Sequence, residues 1–353
     1  METKDYKNEK QTESKIKQKY KIKKFPKQIS IIDRENVVEL HLNNDDFIVN
    51  KNMQETGNAF EGWAIITHIC SNGGEVILCV DRVEKLEKKK FWGENNGHAN
   101  RFLYRILRFS EQYEWFKLSD ELNKRVHAFE NFFVNEGHIF INNSPTKKAE
   151  DTDKIDDENA IESRLTARGV LREILLKDIE IDIGYEQVYR QLPVGLFLKQ
   201  KGEYLEEKGK DRAVFTHGKS AIDLWNINQD TINIIELKTN NRMIGIVTEI
   251  FFYTNYIYDF IKSSNGVFEL TKPQKNKQDD RGYSYLCEKA LDLTKVNGIM
   301  LTDSKSGFHP CVKKKENEYE PDEMIDTLNK GNNNHLKYYM ARYNYKVNVW
   351  PID

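Results

Sequence analysis

Two short segments rich in branched apolar residues, Ser220–Ile227 and Ile232–Thr239, are separated by the polar stretch Asn228–Thr231. This pattern predicts two strands joined by a tight turn. Side chains alternate along a strand, so one face carries Asp223, Trp225 and Ile227 opposite Ile232, Ile234, Glu236 and Lys238. The other face carries Ile222 and Leu224 against Ile235 and Leu237. With both faces largely apolar, the hairpin is expected at the centre of a sheet covered by helices on both sides. A turn centred between Gln229 and Asp230 sets Asp223 opposite Glu236, with Cβ atoms about 5 Å apart. A slip of one residue would part the charges.

Helical spacing appears on either side. Asp157–Leu176 carries Ile161, Leu165, Leu171 and Leu175 as a buried stripe, and Arg242–Lys262 reads as an aromatic-rich helix. Tyr185–Leu192 and Val296–Asp303 read as strands. Upstream, residues 30–142 read as a separate α+β module. Within it, the segment from Glu61 to Asp81 is expected to form a β-hairpin around Ser71-Asn72-Gly73-Gly74, followed by mixed helical and strand pieces from Asn100 to Phe140. Its aromatics recur with Leu, Ile and Val, as in a core. Residues 143–157 are polar and charged and read as a linker. The division is thus a basic arm at 1–29, a recognition or regulatory module at 30–142, the linker, and a second domain at 158–353. Near the end, Met324–Tyr343 suggests a helix broken at Gly331–Asn334, then a strand over YKVNVW. The basic start, KIKQKYKIKKFPKQISI, fits a lysine-rich edge strand, a phosphate-binding arm or a solubilising tail.

Composition narrows the function classes. The 353 residues are 39% hydrophobic and 31% charged, with a formal net charge of −2, so any nucleic-acid surface must be a local patch. No apolar run approaches the length of a membrane span, and the basic start lacks the apolar core of a secretory signal. Cys70, Cys79, Cys287 and Cys311 show no CxxC spacing, which fits a reducing, cytoplasmic setting. Phosphate-loop, dinucleotide-binding, zinc-protease and serine-hydrolase signatures are missing from the chain.

Two acids and a lysine on one buried hairpin face are costly without partners or a task. The arrangement Asp223, then Glu236-Leu237-Lys238 on the next strand, resembles the PD-(D/E)XK, or restriction-endonuclease-like, nuclease superfamily. The resemblance covers roughly residues 155–305 and departs at Ile222, where the family carries proline. It implies a mixed α/β fold: a central mixed sheet flanked by helices, built from a helix, a strand, the hairpin, a helix and a strand. It further implies that Asp223, Glu236 and the backbone carbonyl of Leu237 ligate Mg²⁺, with Mn²⁺ as a substitute, and that Lys238 positions or helps deprotonate the attacking water. Family members often add an acid from the first helix, and Glu162, flanking the buried stripe, is the chosen candidate over Glu158 and Glu173. Some branches carry Gln-x-x-x-Tyr in the helix after the hairpin. Here Glu249-x-x-x-Tyr253 stands in its place. Gly245 would let another backbone approach closely. Lys219, Asn240 and Arg242 flank the strand ends where phosphates would lie. A second [DE]-x-K, at Asp303–Lys305, ends a strand without an acid-bearing hairpin partner. The expected activity is Mg²⁺-dependent DNA cleavage in prokaryotic antiphage or restriction-type defence, with RNA as the other candidate substrate. A homodimer or larger assembly and a defence-system partner protein are expected. An inactive nucleic-acid-binding or scaffold protein on the same fold is the alternative.

Overall fold

The computed structural model describes residues 11–43, 52–87, 90–93, 97–135, 137–144, 158–202, 209–215, 220–240, 242–262, 267–271, 281–312 and 322–344. In chain order the elements are α1 (Gln11–Tyr20), β1 (Ile29–Asp33), β2 (Val37–Leu42), α2 (Phe60–Cys70), β3 (Glu75–Val80), α3 (Gly97–Gln112), β4 (Phe116–Leu118), α4 (Asp120–Phe133) and β5 (His138–Asn142). There follow α5 (Glu158–Leu165), α6 (Val170–Ile179), β6 (Tyr189–Val194), β7 (Leu196–Gln200), β8 (Ser220–Asn228), β9 (Thr231–Lys238) and α7 (Gly245–Ile261). The last are β10 (Phe268–Glu269), α8 (Tyr283–Lys289), β11 (Lys295–Asp303), α9 (Glu323–Leu328) and β12 (Leu336–Tyr343). The class is mixed α+β, with three sheets among the described residues, flanked by helices.

The largest sheet runs β12-β11-β9-β8-β6. β6, β8 and β9 form an antiparallel meander, and β11 and β12 then add in parallel to β9. The hairpin register is the expected one: Leu224 faces Ile235 and Asn228 faces Thr231, leaving a two-residue loop with Gln229 at φ 56°. One face of this sheet, with Leu224, Ile235, Leu237, Ile299 and Leu301, packs on Ile161 and Leu165 of α5 and Leu171 and Leu175 of α6. The other, with Trp225, Ile232, Ile234 and Met300, meets α7. α7 is apolar around most of its circumference because it lies inside, between this sheet and the N-terminal helices. The other sheets run β1-β2-β3-β4 and β10-β5-β7.

Several sequence expectations are corrected. Residues 60–80 are a helix and a strand, not a hairpin. A continuous apolar run does not distinguish the two forms, and here Phe60, Trp63, Ala64 and Thr67 lie buried at helical spacing. The Asn72-Gly73 pair closes that helix, at φ 61° and 81°, with Gly73 N–H donating to the His68 carbonyl at 2.9 Å. The C-terminal helix stops at Leu328. Leu336–Tyr343 is strand β12, in which tyrosines favour the extended form and Asn329 clamps Tyr338 from both sides, at 2.8 and 2.9 Å. The basic start is helical over Gln11–Tyr20 rather than an edge strand, with Ile16 buried and the Thr12 amide donating to Asp33 at 3.0 Å. The first core helix breaks in two at Gly169, whose φ is 80°, and the following strand begins at Tyr189 rather than Tyr185. Residues 145–157 of the expected linker, most of the loop at 272–282, and YKVNVW lie outside the described residues. β5, from before that linker, pairs with β7, from after it.

Candidate active site

The site begins where the large sheet loses its regularity. The β8–β9 ladder ends at Leu224–Ile235. On the other side, β6 pairs with β8 at Arg190–Leu224 and Leu192–Ile222 but skips Gln191, held at φ 53°. A non-glycine residue in that region is strained, and such strain gathers at functional positions. Both neighbours of β8 therefore give way at Asp223. Its carboxylate replaces the missing rung by accepting the Leu237 amide at 2.8 Å.

Around this gap the fold assembles acids from three elements. Glu236, 2% exposed, lies at the end of β9. Glu162 of α5, 3% exposed, accepts a hydrogen bond from the Gln191 side chain at 3.0 Å. Glu249 of α7 is also buried. Lys238 Nζ stands 2.5 Å from Glu236 Oε1 and 3.2 Å from Glu249 Oε2. Asp223 alone among these charged groups keeps partial solvent access, so it marks the mouth of the site.

The electrostatics follow from burial and crowding. Burial pushes the Asp223 carboxyl up to about 6, against the pull of Lys238 and the Leu237 amide. Burial, then the charge of Asp223, lifts Glu162 to about 8. Glu236 is raised well above the carboxylate range by burial and by repulsion from Asp223 and Glu249. For Lys238, burial disfavours the ammonium, but Glu236, Glu249 and Asp223 outweigh it and hold the amine well above its ordinary value. Burial, then the same three acids, also raises the hydroxyl of Tyr253, one turn beyond Glu249.

The donor set fits a hard divalent cation. Carboxylate oxygens are the preferred ligands of Mg²⁺. Glu236 Oε2 is buried without a hydrogen bond, a costly condition that a cation would relieve. The acid oxygens are not drawn together into a trio with mutual separations within 4.8 Å. Among the described residues, only Glu39, His41 and Cys79, in a different sheet, reach that spacing.

The hairpin prediction thus brings Asp223, Glu236 and Lys238 together, and Glu162 joins them. The Leu237 carbonyl belongs to the same strand end. Asn240 and Arg242 lie at the exposed rim: the Asn240 backbone N–H donates to Asp303 at 3.0 Å, and the Arg242 side chain reaches the Lys305 carbonyl at 3.5 Å. Lys219 lies outside the described residues. The competing Asp303 is buried and structural, accepting the amides of Asn240 and Ser306. Arg101 of α3 is the addition. It is 2% exposed and donates to Ser220 Oγ at 2.9 Å, and burial pulls its guanidinium down to about 10 against the opposing pull of the site, Glu249 included. Its sequence signal is an arginine, four residues before Arg105, on the buried face of RFLYRILRF. A cavity of about 420 Å³ lined by Arg108, Gln112, Asn255, Tyr258 and His335 lies toward the other end of α7. Arg108 there is already paired with Asp259, so the crowded acids, rather than this cavity, define the candidate site. Comparison with protein-family models, with curated proteins and with solved structures finds no match for this chain.

Proposed function

We propose that this chain is a metal-dependent nuclease that hydrolyses phosphodiester bonds in DNA, on a core of the PD-(D/E)XK type, and serves prokaryotic defence. The observation that carries this reading is the set of Asp223, Glu236 and Lys238 gathered at the splayed end of one hairpin, joined by Glu162. The strand order supports the reading: β6, β8 and β9 run antiparallel, α7 covers them and β11 joins parallel to β9, and a core of that type would call for a helix, a strand, the hairpin, a helix and a strand.

Asp223, Glu236, Glu162 and the Leu237 carbonyl would hold the cation, Mg²⁺ or Mn²⁺. When bound, it supplies a Lewis acid for the phosphate and a more acidic water. The Leu237 amide fixes the Asp223 carboxylate. Lys238 keeps its proton in this cluster, so its part is to orient the attacking water and to stabilise charge on the phosphorane. Arg101 adds a second fixed positive charge nearby. The rest of the rate comes from positioning. With one site per chain, cutting both strands calls for two copies.

A second reading rests on the closed pairing of Lys238 with Glu236 and Glu249: a buried ion cluster on an inactive nuclease fold that binds nucleic acid or a partner. Incubation of the purified chain with supercoiled and linear DNA, with and without Mg²⁺ or Mn²⁺, separates the two. The nuclease reading expects metal-dependent nicking or degradation, lost in folded Asp223→Asn and Lys238→Met. Wild type that binds DNA but does not cut it with either metal favours the second reading.

A further inference from the structure

We propose that Glu39, His41 and Cys79 form a second metal site, separate from the acid cluster, that takes a zinc-class divalent cation. β2 alternates strictly: Val38, Leu40 and Leu42 are buried, while Val37, Glu39 and His41 face outward. β3 runs parallel beside it, with Cys79 opposite His41. One ligand atom from each of the three residues lies within 4.8 Å of the others, and all three residues are partly buried. His41 Nε2 already meets Glu39 Oε2 at 3.0 Å. A cation would take the place of the proton shared there.

The ligand chemistry selects the ion. Sulfur, imidazole nitrogen and one carboxylate oxygen suit zinc and its neighbours rather than magnesium or calcium. Three protein ligands leave one tetrahedral position for water or an outside ligand. The ligands stand on paired strands rather than loops, so little order is lost on binding. Arg34 grips both Glu39 oxygens at 3.2 Å. With the ion bound, it would keep one oxygen and orient the other, as outer partners of metal ligands do. Burial and the charges of Glu39 and Asp81 keep Cys79 a thiol, pushed up to about 11. Binding therefore releases its proton. The ion would staple β2 to β3.

Co²⁺ titration of the full chain, held reduced by a phosphine, tests this directly. The expected result is a near-ultraviolet thiolate-to-cobalt band that corresponds to one cobalt at the thiolate site and is displaced by Zn²⁺. Cys79→Ser abolishes the band. His41→Ala and Glu39→Gln, which keep every cysteine, weaken binding about tenfold or more. Cys287→Ser, at the other partly buried cysteine, and Asp223→Asn leave the band intact, since an all-oxygen site gives no thiolate transition. Absence of the band in wild type, or its survival in Cys79→Ser, overturns the proposal.

Discussion

At the scale of single residues, burial first, and then the charge of neighbouring acids, opposes ionisation of the acids at the hairpin end. Glu162 shifts from 4.5 to about 8 and Asp223 from 3.8 to about 6. A carboxyl raised in this way binds its proton more tightly folded than unfolded. Its contribution to stability is complete below the unfolded value and is lost as pH rises through the folded one. For Glu162 the window runs from 4.5 to about 8. In chelator, the melting temperature of wild type should therefore fall more steeply across that window than that of Glu162→Gln. Parallel melting curves would contradict the burial described here. Asp223, Glu236 and Lys238 were legible in the sequence because period-two alternation and a two-residue turn suffice to bring them together. Arg101 and Gln191 were not. Arg101 reaches Ser220 across 119 positions of chain, and the positive φ of Gln191 arises from sheet geometry rather than from any turn signature.

At the scale of elements, an asparagine row, buried at Asn226 and Asn233, holds the sheet in register. Asn233 donates to Asn226 at 3.0 Å, Asn297 donates to Asn233 at 2.9 Å, and Asn226 donates to the Ile183 carbonyl at 2.8 Å. A slipped strand would strand these amides without partners. Asn233→Leu should lower stability by about 1–3 kcal/mol in denaturant titration, because Asn226 and Asn297 each lose a partner. Helix α7 depends on Gly245 in a different way. A Cβ there would lie 2.0 Å from the Gln54 carbonyl oxygen, and backbone cannot swing aside as a side chain can. Gly245→Ala should cost about 1–3 kcal/mol or more and lower activity through Glu249 and Tyr253 on the same helix. Two of the misread elements share one cause. EGWAIITHIC and LKYYMARY are short apolar runs whose form is decided by what they pack against: α1, α7 and α9 for the first, and the open edge of β11 for the second.

At the scale of the whole molecule, the N-terminal helices and the large sheet share one core. Arg105 grips Glu61 with two hydrogen bonds of 2.7 Å, and Thr248 of α7 donates to the same carboxylate at 2.8 Å. Arg105 and Glu61 are 1% and 0% exposed. Removing one partner leaves a buried charge uncompensated, so Arg105→Met should destabilise by about 3–5 kcal/mol. Tyr104 and Arg108 of α3 likewise hold Asp259 of α7. Heat should therefore unfold residues before and after the expected linker in one transition, which calorimetry would record as a single peak. No spacing rule pairs an arginine of one amphipathic helix with a glutamate of another, so this union of the segments was not legible in the sequence.

The central claim is that the acids at the splayed hairpin end hold a divalent cation for phosphodiester cleavage. Electron paramagnetic resonance of Mn²⁺ titrated into the full chain tests it most directly. The account predicts a bound-ion population in wild type that competes with Mg²⁺, is lost in Asp223→Asn and Glu236→Gln, and survives in Cys79→Ser. Wild type that leaves Mn²⁺ free, or binding unchanged in both acid variants, would contradict it.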